Sequence, residues 1–206
     1  WSYIPSEVKK NSTFLNHTFL TNEGLPFEAY NSEIIEKFSS ITGIKERRYA
    51  GKNQNSSDLA AKAAAKAILS AKIDQENLDY IIVAHNFGDT AYGSKQSNSL
   101  PCVASKVKTI LGIKNPKCVA YDILFGCPGW IEGVIQAKAF IKSGMAKKCL
   151  VIGTETLSRV VDVKDRDSMI FADGAGATVV EGSEDQGGIL SHESVTYTDN
   201  NEVDIL

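Results

Sequence analysis

A chain of 206 residues, 43% hydrophobic and 23% charged, can bury one substantial core or two small ones and has the make-up of a folded soluble protein. Its net charge of −3 leaves no basic footprint for nucleic acid, and no apolar run approaches the roughly 20 residues that span a bilayer. Trp1-Ser2-Tyr3-Ile4-Pro5 lacks the basic region and apolar stretch of a signal peptide, so a cytoplasmic protein is expected, with neither nucleic acid nor membrane as partner.

Helical and strand signals alternate along the chain. The first helix is expected over Ser32–Ile41, with Ser32 as its cap and Gly43 as its stop. Ser57–Ala71 is rich in the best helix formers, and its lysines keep one face polar, which predicts a packed surface helix. Leu78–Ala84 reads as a buried strand, followed by a polar loop over His85–Ser99 with Gly88 and Gly93 as breakers. Leu100–Leu111 reads as a helix, with Pro101 in its first turn and Gly112 at its end. Cys118–Leu124 is a strand, and a tight turn leads from it into a helix running from Pro128 to about Lys142. Cys149–Gly153 is a third buried strand, and Ala177–Glu181 and Gly188–His192 are further strand candidates. Buried strands separated by helices predict an α/β protein whose largely parallel sheet is covered on both faces. No internal repeat or interdomain linker interrupts the pattern.

The four cysteines, at 102, 118, 127 and 149, form no CxxC pair, and a chain this long and this poor in cysteine does not read as a disulfide framework. His17, His85 and His192 lack ligand spacing, so no metal site is expected. Asn11-Ser12-Thr13 and Asn16-His17-Thr18 match the glycosylation triplet, a pattern common by chance.

Cys127 stands out by position. A buried strand ends at Leu124, Phe125-Gly126 make the turn, and Pro128 suits a first helical position. Strand, sharp turn, reactive side chain and helix follow the logic of a nucleophile elbow. A thiol at a helix N-terminus feels the positive end of the macrodipole, which favours the reactive thiolate, and the backbone N–H groups there can serve an oxyanion. On position alone Cys127 is either that nucleophile or a small buried hydrophobe at a strand–helix junction. Cys118 and Cys149 open buried strands and read as core, and Cys102, placed within a helix, reads as core too.

Phe171-Ala172-Asp173-Gly174-Ala175-Gly176-Ala177 invites a phosphate-loop reading and fails it. Val179 stands where GxGxxG needs glycine, and the glycines precede a strand instead of a helix. A close backbone approach inside the core is the reading that remains.

Four segments resemble one known family, in its order and nearly its spacing. Ser2-Tyr3-Ile4-Pro5 resembles its opening turn, and Thr42-Gly43-Ile44-Lys45-Glu46-Arg47-Arg48 its T-G-I-R-E-R segment. Asp122-Ile123-Leu124-Phe125-Gly126-Cys127 followed by Gly129 resembles its nucleophile segment, and Phe171–Ala177 its F-G-D-G-A-G-A loop. Together they cover almost the whole chain and resemble β-ketoacyl-acyl carrier protein synthase III, a thiolase-fold condensing enzyme. The resemblance implies that residues 1–206 are one thiolase-like half, the N-terminal one. A strand before the Ser-Tyr turn, and a C-terminal half with the His and Asn that stabilise an enolate, would lie outside these residues.

The implied activity is acyl transfer. Cys127 takes the acyl group of an acyl-CoA, with its own N–H serving the oxyanion hole. The carbanion left when malonyl-acyl carrier protein loses CO2 then attacks the acyl-enzyme, starting a fatty-acid chain. Thioesters of coenzyme A or phosphopantetheine are the substrates, and no cofactor is implied. Arg166 matches a coenzyme A contact of the family, with a solvated surface arginine as the other reading. Lys37 and Ile41 replace its Trp and Arg, which leaves the donor open between a longer acyl-CoA and an acyl carrier protein. Leu100, after a loop longer than the family's, takes the position that lines the partner's acyl pocket in a homodimer. Two other readings stand: a synthase III-like enzyme of a secondary polyketide, resorcinol or polyene pathway, and a non-catalytic thiolase-fold subunit.

Overall fold

A computed structural model describes residues 1–94, 96–184 and 188–197. In chain order its elements are β1 (Ser2–Tyr3), β2 (Glu7–Lys10), α1 (Asn31–Thr42), β3 (Glu46–Tyr49), α2 (Ser56–Ala71), β4 (Tyr80–His85), β5 (Asp89–Thr90), β6 (Ser97–Asn98), α3 (Val103–Leu111), β7 (Val119–Leu124), α4 (Gly129–Lys142), β8 (Lys148–Thr156) and β9 (Asp173–Glu181). Five strands form the main sheet in the order β1-β9-β8-β4-β7. β8, β4 and β7 are parallel, whereas β9 runs antiparallel to β8 and β1 antiparallel to β9.

The expected architecture holds: a mostly parallel mixed sheet with helices on both faces. On one face α2 and α3 bury Leu59, Ala60, Ala63, Ala64, Val103 and Val107 against Ile81, Val83, Leu150 and Ile152. On the other, α4 covers Ile82, Cys149 and Val151. This alternation of buried side chains along β4 and β8 is what a sheet packed on two faces demands. The alanines that make α2 a strong helix former also make it thin, so it lies much deeper than a surface helix. Its lysines Lys62 and Lys66 leave the core to reach Tyr3 on β1. Asn55 and Asp58 close its N-terminus as a capping box.

Several local expectations are corrected. α1 starts at Asn31, and Ser32 does not cap it; the Asn31 amide instead donates to the carbonyls of Phe14, Leu15 and His17. α3 starts at Val103, not Leu100, so Pro101 lies before the helix and Cys102 is its N-cap. The reason is tertiary: the Asp122 carboxylate on β7 takes the Val103 and Ala104 N–H groups and marks the first turn. The polar stretch His85–Ser99 contains the hairpin β5–β6, pinned by Asp89, which accepts from Ser57 N–H, Ser57 Oγ and Lys106. Ser2-Tyr3, expected in a turn, is the edge strand β1 paired with Gly176 and Ala175. Gly188–His192, expected as a strand, forms none; Leu190 is 91% exposed.

Phe171–Ala177 holds no phosphate cradle. Asp173–Ala177 belong to β9, and the buried Asp173 carboxylate accepts from Ala50 N–H at 2.7 Å, Ser158 N–H at 2.9 Å and Ser158 Oγ at 2.6 Å. A Cβ on Gly174 would meet the Tyr3 carbonyl at 3.5 Å, an ordinary van der Waals contact and not the tight approach expected there. No described helix is long and apolar enough to cross a membrane.

Candidate active site

The parallel strands β8, β4 and β7 end at one edge of the sheet, where open α/β sheets place their ligands. Cys127 sits there, solvent-exposed, on the turn between β7 and α4. Gly126 makes the turn with φ of +65°, a left-handed conformation that favours glycine, and its carbonyl accepts from Gly129 N–H at 3.1 Å. Pro128 is the N-cap of α4, so Cys127 lies just ahead of the helix, one residue earlier than a start at Pro128.

Small residues seat α4 on the sheet. A Cβ on Gly129 would stand 2.9 Å from the Cβ of Ala84, and one on Gly133 2.8 Å from Cγ1 of Val151. The Ala84 Cβ is fixed to the strand and cannot yield, so any side chain at 129 must lift the helix end that carries Cys127. Gly129→Ala is expected to lower stability by about 1–3 kcal/mol through overpacking and to slow reactions of Cys127. Urea unfolding of the full-length protein and a thiol alkylation rate check this; wild-type values for both would contradict the seating.

The other cysteines have different surroundings. Cys118 and Cys149 are 2% and 0% exposed. Burial pushes the Cys149 thiol up to about 11, with Asp79 adding to the effect, and raises Cys118 as well. Both stay protonated at pH 8, where alkylation needs the thiolate. With iodoacetamide at pH 8, mass mapping is expected to find Cys127 modified in the native protein and Cys118 and Cys149 only after denaturation. Cys102 is half-buried, with its sulfur accepting from Ser105 N–H.

Behind the turn lies a polar network that sequence reading missed. Asp122, on β7, accepts from Val103 N–H at 2.7 Å, Ala104 N–H at 2.8 Å and His85 Nε2 at 2.7 Å. His85 is 3% exposed, and its Nδ1 accepts from Gly88 N–H at 3.0 Å, which leaves the proton on Nε2. Across β4, Glu155 of β8 accepts from Asn86 N–H. Burial raises the Glu155 carboxyl, against the lowering effect of the Asn86 hydrogen bonds and nearby His85. The signal was available: residues just past the ends of parallel strands converge, and Asn86 and Cys127 are such residues.

Arg166 lies elsewhere, in a cleft of about 450 Å³ lined by Phe27, Ile34, Lys37, Phe38, Ile41 and Met169, among others. Its guanidinium lies 5.0 Å from the Phe27 ring centroid, and its side chain is 52% exposed. Arg166, Lys37 and Ile41 thus share one wall, but Cys127 is not among the residues lining this cleft. Arg47 braces the cleft from beneath. It is 4% exposed, donates to the carbonyls of Met169 and Lys9 and to Asn11 Oδ1, and stacks on Phe14 and Phe38. Arg47→Ala would leave those acceptors unpaired and is expected to cost about 2–5 kcal/mol in urea unfolding, whereas an unchanged midpoint would remove Arg47 as the brace. The Asn11 amide, tied to Ile44 and Arg47, is part of this structure. Leu100, 82% exposed, flanks the β5–β6 hairpin, so the three expected site residues occupy three separate places.

A mostly parallel mixed sheet covered by helices, with an exposed cysteine on the turn before a helix, is the arrangement of one half of a thiolase-like fold. The family description of 3-oxoacyl-acyl-carrier-protein (ACP) synthase III matches residues 121–199. Over 187 residues the chain is 38% identical to beta-ketoacyl-acyl-carrier-protein synthase III of Neisseria gonorrhoeae, covering 90% of this chain and 55% of that protein. The protein of the same name in Staphylococcus saprophyticus is 40% identical over 193 residues, 93% of this chain and 54% of its own length. The crystal structure of 3-oxoacyl-acyl-carrier-protein synthase III from Aquifex aeolicus superposes with a TM-score of 0.71 at 35% identity, covering 89% of this chain and 52% of that one. Over the matched residues the chain is similar to β-ketoacyl-acyl carrier protein synthase III proteins. It spans about half the length of the curated relatives it matches.

Proposed function

We propose that residues 1–206 are the N-terminal thiolase-like half of a β-ketoacyl-acyl carrier protein synthase III whose nucleophile is Cys127. The observation that carries this reading is the exposed thiol at the carboxyl edge of the sheet, one residue before the cap of α4. In the first step the thiolate attacks an acyl-CoA thioester, the C–S bond to coenzyme A breaks, and coenzyme A leaves as the thiol. In the second step malonyl-acyl carrier protein loses CO2, and the resulting carbanion displaces the Cys127 thiolate to give a 3-oxoacyl thioester. The product starts a fatty-acid chain in the cytoplasm, and thioesters of coenzyme A or phosphopantetheine are substrates, not cofactors.

Arg166 is the donor-binding residue in this reading, supported by its place on the rim of the apolar cleft beside Lys37. The half-fold is supported by apolar side chains left open around the N-terminal end of α4, where Phe125, Trp130 and Ile131 are 44%, 38% and 57% exposed. A homodimer is supported by β7, whose outer edge pairs with no strand among the described residues. In that dimer Leu100, beside the β5–β6 hairpin, would reach the partner subunit's acyl pocket. Full-length protein incubated with acyl-CoA and malonyl-acyl carrier protein should release coenzyme A, CO2 and 3-oxoacyl-acyl carrier protein in equal amounts. Coenzyme A release without condensation product would refute the second step, and no release at all would refute the donor.

A further inference from the structure

Continuing the parallel ladders past His85–Leu124 and Ala84–Gly153 sets Asn86 between the nucleophile turn on one side and Glu155 on the other. It is hydrogen-bonded to Glu155 and faces the turn. The Asn86 N–H donates to Glu155 Oε1, and Asn86 Oδ1 lies 4.0 Å from where a Cβ on Gly126 would stand. Glu155 is itself anchored in the β8–β9 ladder opposite Gly174. His85, one residue before Asn86, is locked by Asp122 and Gly88, so the main chain entering Asn86 has little freedom. We propose that Glu155 is a positioning residue for the Cys127 turn, acting through Asn86, whose carboxamide braces Gly126. This deepens the reading of Cys127 as the nucleophile and rests on it.

The role asked of Glu155 is that of an acceptor. Its carboxyl receives the Asn86 N–H, and His85 and Asp173 are the charged or titratable groups around it that affect its protonation. Burial of the carboxyl makes a neutral acceptor of the same shape a fair substitute. Glu155→Gln retains an oxygen where the Asn86 N–H points, whereas Glu155→Ala removes it and frees residue 86. Without that hold the turn gains room to shift, and small displacements at a reacting group slow its chemistry strongly.

The test uses full-length protein and two reagents on Cys127: iodoacetamide, which requires no substrate site, and acyl-CoA. Glu155→Ala and Asn86→Ala are each expected to slow acylation about tenfold and to slow alkylation measurably. The double variant should be no slower than either single one, since both break the same link. Glu155→Gln should recover most of the rate, and the urea midpoints of the single variants should stay near wild type. Wild-type rates in Glu155→Ala, multiplying losses in the double variant, or a Gln variant as slow as the Ala variant would each overturn the proposal. If the wild type takes no acyl group from acyl-CoA, the donor reading fails, and the alkylation series alone decides the role of Glu155.

Discussion

Incubated with acyl-CoA, the full-length protein should gain one acyl mass per chain, and the Cys127→Ala variant none. The expected effect is complete at the resolution of intact mass spectrometry, because no other described cysteine is an exposed thiol at this edge of the sheet. Cys118 and Cys149 are buried with their thiols raised, and Cys102 is tied into the first turn of α3. Removing the nucleophile of a covalent mechanism lowers turnover by about 10⁶ where this has been measured in other enzymes. The adduct should also vanish on treatment with neutral hydroxylamine, as a thioester does. An acyl mass persisting in Cys127→Ala would place the nucleophile elsewhere and remove the basis of the proposed function. A preference among acyl chain lengths in the same experiment would show which donor the enzyme accepts.

Asp122→Ala should be the most damaging substitution apart from Cys127→Ala. The carboxylate stands five residues before Cys127 and holds three donors at once: two from the N-terminus of α3 and one from the buried His85. Alanine would strand two helix N–H groups and a buried imidazole N–H. Each unsatisfied group costs about 1–3 kcal/mol, with partial relief from water and relaxation, so a total near 3–5 kcal/mol is expected. Urea unfolding of the full-length protein measures it, and a loss below about 1 kcal/mol would show that Asp122 is not the link described. The same variant should slow alkylation of Cys127, because β7 and the His85 loop both border its turn. Asp122→Asn should fall between, since an amide retains one accepting oxygen but presents an NH2 group where the carboxylate received a donor.

These two residues also show how far local sequence reaches. The strand–turn–helix grammar around Cys127, with an apolar run, Gly126 and then Pro128, is written in adjacent residues. Backbone preference suffices to read it, and the structure places the thiol within one residue of the expected helix start. The same holds for the buried strands at 80–84 and 149–153, whose apolar runs admit little else, and for α2 with its alanines. Other features depend on partners far away in sequence. α3 begins at Val103 because a carboxylate on β7 captures its first N–H groups, so propensity at Pro101 could not locate the boundary. Gly188–His192 has the composition of a strand and forms none, since local composition supplies no pairing partner.

The sequence by itself therefore determined the class of fold, the candidate cysteine at the strand–helix turn and the elements that present it, all set by local chain geometry and periodic burial. Only the tertiary structure decided that His85, Asn86, Asp122 and Glu155 gather behind the turn. It also decided that Arg166 faces a separate cleft and that β1 completes the sheet edge. Hydrogen bonds between strand ends pair residues that lie 37 to 69 positions apart, and no local preference encodes such a pairing. It follows from the order in which strands assemble.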